Sequence, residues 1–246
     1  MRTFRADLHI HTVLSPCGDL AMSPGRIVEE ASRKGLDIIG ITDHNSTRQC
    51  GITARMASAK GIYVMQGAEV TTKEEVHCLA FFENSDTLDS FQVYLDSNLP
   101  EIMNDTSKFG YQVVVDEDEN IVYEEDKLLI NALDKGMDEI ESFVHSLNGL
   151  FIPAHIDKSK NSIYSQLGFL PAGLNADALE LSPASLHNKF EEKHYEINNY
   201  QTIRSSDAHF PEEIGRVHTE FYIPQVSFRE IRAALKGVDG RKTEIR

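Results

Sequence analysis

His9 and His11 in Asp-Leu-His-Ile-His, His44 in Thr-Asp-His-Asn, His77 shortly after Gly-Ala-Glu, His155 in Pro-Ala-His and His209 in Ser-Asp-Ala-His account for six of the chain's ten histidines. Glu69 and Asp207 stand among them. Imidazole and carboxylate are donors that zinc, manganese and iron accept at about 2.0–2.2 Å, so this is the ligand inventory of a metal site. Two such cations about 3.5–4 Å apart lower the pKa of water toward neutrality and neutralise charge on phosphoryl oxygens, which suits phosphoester hydrolysis by an activated hydroxide. Asp207, His209 and Asp43 are the candidate catalytic groups. Asp7 and Asp43 also adjoin ligands and suit the hydrogen bonds that fix imidazole tautomers.

The motifs need elements that bring them together. Asp7 to His11 closes an apolar-alternating stretch that begins at Phe4, and Ile38 to Ile41 runs into Asp43 and His44. Tyr63 to Met65 leads to Glu69, Leu150 to Ile152 leads to His155, and Thr202 and Ile203 lead to Asp207 and His209. Each motif therefore ends a strand. Helical stretches separate these strands, and such alternation predicts parallel βαβ units. Closed into a barrel, they would put every strand's C-terminal end on one rim, where barrel enzymes keep their chemistry.

The chain has 246 residues, 41% of them hydrophobic, which fits a single α/β barrel domain over 1–246. Ser23-Pro24 and Gly35 read as the cap, first turn and stop of a helix. From Glu83 to about Lys135 the alternation breaks. This region reads as an insertion with a helix over 86–99 and a hairpin around Asp116 to Asn120, serving either as an acidic surface elaboration or as a substrate lid. Ser185 to Asn199 reads as one charged helix. The last helix carries a capping box, Ser227 with Glu230, and stops at Gly237, beyond which the polar tail is expected to fray.

No apolar run long enough to span a bilayer appears, and the N-terminus has no signal-peptide core, so a cytoplasmic protein without membrane contact is expected. Cys17, Cys50 and Cys78 form no disulfide framework, in keeping with a reducing compartment. The 39 acidic and 24 basic residues give a net charge of −15. Such a field repels polyanions, so extended duplex nucleic acid is not expected as a partner. A small phosphorylated substrate is expected instead, with Lys158, Arg216 and His218 as candidate phosphate-binding groups on rim loops.

The ordered set Asp7-x-His9-x-His11, Thr42-Asp43-His44, Gly67-x-Glu69 followed by His77, His155 and Asp207-x-His209 resembles the PHP (polymerase and histidinol phosphatase) family across residues 7 to 209. The resemblance implies a distorted (βα)7 TIM-like barrel with two or three divalent metals (zinc, manganese or iron) at its C-terminal rim. It implies a first metal held by His9, His11, Glu69 and Asp207. Glu69 would bridge to a second held by His77 and His155, and His44 with His209 would hold a third. The loop after the first motif completes that third position in relatives, and here it offers Cys17, where some relatives carry histidine, or Asp19. A thiolate there would favour zinc. Pro153-Ala154-His155 departs from the family's common His-Pro but keeps the histidine. The resemblance implies a stand-alone phosphoesterase acting on a small phosphorylated metabolite or mononucleotide. A nuclease or oligonucleotide exonuclease of the same family, a hydrolase of C–N or ester bonds and a non-catalytic metal-stabilised interaction module are the alternatives.

Overall fold

The computed structural model describes residues 1–188 and 190–246. Its strands are β1 (Arg2–Ile10), β2 (Ile38–Ile41), β3 (Tyr63–Thr71), β4 (His77–Phe82), β5 (Val113–Val115), β6 (Ile121–Glu124), β7 (Leu150–Pro153), β8 (Leu179–Leu181), β9 (Thr202–Arg204), β10 (Thr219–Ile223) and β11 (Lys242–Ile245). Among the described residues seven of them form a mixed sheet in the order β11-β10-β1-β2-β3-β4-β7. Strands β1, β2 and β3 are parallel, as the alternation predicts, with the helices Pro24–Lys34 and Cys50–Ser58 as their crossovers. The first helix has the expected punctuation: Ser23 Oγ accepts from Arg26 N, Pro24 opens the first turn and Gly35 closes it at φ 67°.

The sheet curls into a half-barrel with helices outside it. Strands β8 and β9 pair with each other and cover the gap. Asp177 N donates to Phe151 O and Ile156 N to Glu180 O, tying them to the β7 side, while the Ile10–Ala208 bridge ties them to β1. One face of almost every strand feeds a single apolar cluster, including Leu8, Met65, Leu79, Ile152, Ile203 and Phe221, that the helix Phe228–Leu235 also packs into. The opposite face, with Ile10, Ile39, Val64 and Val70, packs on the other helices.

Strict βα repetition ends at β4. Thr72 to Val76 is a tight turn, closed by Thr72 N donating to Val76 O, with Glu75 at φ 62°. So short a link permits only an antiparallel partner, and β4 runs antiparallel to β3 and β7 antiparallel to β4. Gly67 makes this hairpin possible, because a Cβ there would strike the Ala80 carbonyl. The C-terminal tail, expected to fray, instead forms β11 against β10. Of the single helix expected over 185–199, the helical stretches Ser185–Asn188 and Phe190–Lys193 stand on either side of residue 189, which lies outside the described residues, and after His194 the helix gives way to a 3-10 turn, Tyr195–Asn199.

The insertion contains the helix Ser85–Asn98 and the hairpin β5–β6, and it is fastened to the body. Gln49 exchanges two 2.9 Å hydrogen bonds with the Val115 backbone, Ser23 donates to Glu119, and Arg55 pairs with Glu117. Among the described residues no helix is long and apolar enough to cross a membrane.

Candidate metal centre

The six motif histidines converge at one end of the curled sheet. His9 and His11 end β1, His44 follows β2 and bridges to Glu69 on β3, and His77 opens β4. His155 follows β7, and Asp207 and His209 follow β9. His155 and Asp207 have left-handed backbones, φ 31° and 52°, a conformation that costs a non-glycine residue about 1 kcal/mol or more and clusters at functional sites.

Glu69 is the hub. Its Oε1 lies 2.8 Å from His77 Nδ1, 3.0 Å from His155 Nε2 and 3.3 Å from His9 Nε2, and its Oε2 lies 3.1 Å from His44 Nδ1 and 3.4 Å from His11 Nε2. Asp207 Oδ1 is 3.3 Å from both His9 and His11. Cys17 Sγ is 3.1 Å from His209 Nε2. Among the described residues three groups have their donor atoms mutually within 4.8 Å: His9, His11, Glu69 and Asp207; His44, Glu69 and His77; and His11, Cys17, His44 and His209.

The donor set fits cations for a reason beyond proximity. His9 Nδ1 is bonded to Glu180, His11 Nδ1 to Ser15 Oγ and His209 Nδ1 to the Asp207 carbonyl. Each partner favours a proton on the outer nitrogen, so that the ring, once neutral, presents its Nε2 lone pair to the cluster. His9 and His11 then oppose their Nε2 atoms at 3.2 Å, and buried His44 Nδ1 faces Glu69 Oε2 at 3.1 Å without hydrogen-bond geometry. Converging lone pairs without protons between them are what a cation satisfies.

Their charge states carry the same strain. Burial disfavours a charged His9, yet the carboxylates of Glu180, Glu69 and Asp207 hold its pKa well above the ordinary value. His11 is raised to about 9 in the same way, burial being outweighed by Asp207 and Glu69. Burial and the neighbouring His11 push His209 down to about 4. Burial would raise Glu69, but His77, His9 and His44 hold it well below the usual carboxylate range.

The supporting residues differ in part from expectation. Asp43 accepts from Thr12 N, Thr12 Oγ1 and Ser15 Oγ, all at 2.7 Å, so it does not reach the cluster directly. It fixes the first loop and orients His11 through Ser15. Asp7 was expected to hold an imidazole; its carboxylate accepts from Ser206 N and Gly215 N and braces the segment before Asp207. Glu180 was missed. Buried on β8, its Oε2 accepts from His9 Nδ1 at 2.9 Å and His155 N at 3.0 Å. Its signal in the sequence is a lone carboxylate between two leucines of a buried strand.

Of the loop candidates, Cys17 joins a donor group, while Asp19 caps its own turn by accepting from Ala21 N. Lys158 pairs with Asp207 and lines the cleft, whose volume is about 210 Å³. Arg216 and His218 do not line it. Arg216 is held by Glu213 and the Ser206 carbonyl, and His218 is engaged by Arg5 and by the Arg246 backbone.

Comparison with known proteins adds an independent line. A PHP domain model matches residues 7–167, and a PHP-associated model matches 185–237. The uncharacterized protein YqxK of Bacillus subtilis is 28% identical over 273 residues, covering 98% of this chain and 64% of its own length. The uncharacterized protein MJ1587 of Methanocaldococcus jannaschii is 34% identical over 90 residues, covering 33% of this chain and 52% of its own length. The chain thus spans under two thirds of these relatives. A lesion-specific endonuclease of Pyrococcus furiosus shares the fold at a TM-score of 0.69 and 23% identity, over 98% of this chain and 58% of that one. An endonuclease Q complex, with a 27-mer duplex whose abasic lesion lies at the active site, matches at 0.71 and 23% over the same shares.

That complex overturns the expectation of a small phosphorylated substrate and no extended duplex. Net charge describes the whole surface, whereas a polyanion meets only the field around the cleft, where bound cations would dominate. The ordered motifs, the donor groups they build at one end of the sheet and the family model spanning most of the chain agree, and the chain belongs to the PHP family.

Proposed function

We propose that this chain is a metal-dependent phosphoesterase that cleaves phosphodiester bonds in nucleic acid. The observation that carries the reading is that Glu69 is shared by two donor groups, one with His9, His11 and Asp207 and one with His77 and His44, while His155 lies 3.0 Å from the same Glu69 oxygen as His77. A carboxylate shared in this way is suited to hold two adjacent cations, His9, His11 and Asp207 completing one position and His77 and His155 the other. A third position is offered by His11, Cys17, His44 and His209, where the thiol favours zinc. Divalent cations bound there would lower the pKa of water and neutralise charge on phosphoryl oxygens.

The chain's own groups perform the rest. Glu180 and the Ser15–Asp43 pair hold His9 and His11 in the tautomer that presents Nε2. Lys158, whose proton the nearby Asp207 retains against the effect of burial, places a positive charge on the cleft wall within reach of a phosphate oxygen. The duplex in the endonuclease Q complex supports nucleic acid as the substrate class.

The test is cleavage of end-labelled oligonucleotides, with and without an abasic site, by protein loaded with manganese or zinc. Internal cuts are expected, and Asp207→Asn should abolish them. A ladder growing from one end would indicate an exonuclease instead. A fully metal-loaded protein that cuts no diester would sink the reading.

A further inference from the structure

The insertion meets the metal cleft at Ile130. This half-buried side chain is the only cleft-lining residue, among those described, that offers neither charge nor a lone pair. It is carried by a strap, Leu129 to Asn131, clamped on both sides of Ile130 by one residue. Asn45 Nδ2 donates to Leu129 O at 2.7 Å and to Asn131 O at 2.8 Å, and its Oδ1 accepts from Thr71 N at 3.2 Å. Gln112 Oε1 takes Leu129 N at 2.8 Å, and Leu133 N donates to Thr71 O at 2.9 Å. Asn45 itself, at φ 45°, donates from its backbone to Glu69 O. The strap is therefore fastened to β3 and to the turn that carries His44, which makes it a fixed wall of the cleft and not a lid.

We propose that Ile130 is a specificity-determining residue, the apolar surface against which the sugar or base beside the scissile phosphate packs, with Asn45 as the positioning residue that sets it. This rests on the phosphodiester reading. Lys158 and cations held by the histidines and carboxylates would recognise the phosphate, but they give no preference for what is attached to it. An aliphatic wall does, because it gains free energy only from covering an apolar face.

The experiment compares kcat/KM for thymidine 5′-(4-nitrophenyl phosphate) with that for methyl 4-nitrophenyl phosphate. Ile130→Ala should lower the ratio about tenfold, the worth of a few methylene contacts in a pocket, and Ile130→Leu should restore most of it. Binding of a phosphorothioate dinucleotide to the metal-loaded protein should weaken by a similar factor in Ile130→Ala. An equal loss on both esters, or an unchanged ratio, would overturn the proposal. If the unsubstituted protein hydrolyses neither ester, the phosphoesterase reading fails, and the dinucleotide Kd alone decides: about tenfold weaker supports the wall, and unchanged overturns it.

Discussion

Replacing Glu180 by Gln removes one negative charge while keeping shape, and it isolates the carboxylate that stands behind two candidate ligands. Glu180 Oε2 accepts from His9 Nδ1 and from His155 N, and the residue is 1% exposed, so solvent does little to screen it. Such partners of a metal-bound imidazole are worth about 10–100-fold in metal affinity, or about 1.4–2.7 kcal/mol. A second effect opposes the first. Glu180 also helps keep His9 protonated in the metal-free protein, so the unsubstituted chain must displace a proton that Glu180→Gln holds less tightly. The expected loss is therefore full, near a hundredfold, where His9 is already neutral, and shrinks toward tenfold or less as pH falls. Competition with a zinc chelator across a pH series reads both the size and the trend. A difference that does not depend on pH, or a lowered melting temperature with unchanged zinc affinity, would refute the assignment and leave Glu180 a packing residue.

Stability of the metal-free protein should peak near pH 6.5. His11, raised from 6.5 to about 9, contributes stability that is whole below its unfolded value and lost as pH rises through 9, about 3 kcal/mol in all. His209, lowered to about 4, contributes stability that is whole above 6.5 and lost as pH falls toward 4. Urea melts of chelator-treated protein check this, and stability flat between pH 5 and 9 would contradict it. Cys17→Ser should weaken one metal equivalent and leave the others, and in cobalt-substituted protein it should remove the thiolate charge-transfer absorption; unchanged spectra would show that the thiol stays off the metal. Asp177→Asn should cost about 1–3 kcal/mol at neutral pH, because Asp177 accepts from Phe151 N and His145 Nε2. Burial notwithstanding, those partners lower its pKa below 3.8, so the deficit should close on acidification below that value; a deficit that persists there would assign it to packing.

Most of the candidate donors were legible because they stand in short signatures at or near the end of an apolar run, His77 at the start of β4 and Cys17 in its loop excepted, and strand ends converge in a curled sheet. His9, Glu69 and Asp207 needed no long-range information beyond that. What was not legible depends on contacts between distant segments. Asp7 precedes His9 by two residues and was read as its support, yet its carboxylate bonds Ser206 and Gly215, about two hundred positions away. Glu180 supplies the support, and a single carboxylate on a three-residue strand has no periodicity to announce it. The polar tail over 242–245 pairs as an edge strand through backbone groups, which side-chain pattern does not report. The antiparallel course of β4 was carried by the shortness of its turn, a clue present in Lys73-Glu74-Glu75 but outweighed by the barrel pattern.

The charge argument failed for a physical reason that also bears on how the cleft would work. A net −15 distributed over 10646 Å² is screened within about 8–10 Å at ordinary ionic strength, so it disfavours approach without governing contact. Among the described residues that line the cleft only Lys158 supplies a fixed positive charge, and it is already engaged with Asp207. Affinity for a polyanion must then come from the bound cations and from surfaces such as Ile130, with few lysine–phosphate pairs to release counterions. Nucleic-acid binding should accordingly be strongly metal-dependent and only weakly salt-dependent, with a log–log salt slope of about −1 to −2, far shallower than that of a protein reading duplex through a basic face. A steep slope would mean that a basic surface outside the cleft carries the binding, and the cleft-centred account of affinity would have to be abandoned.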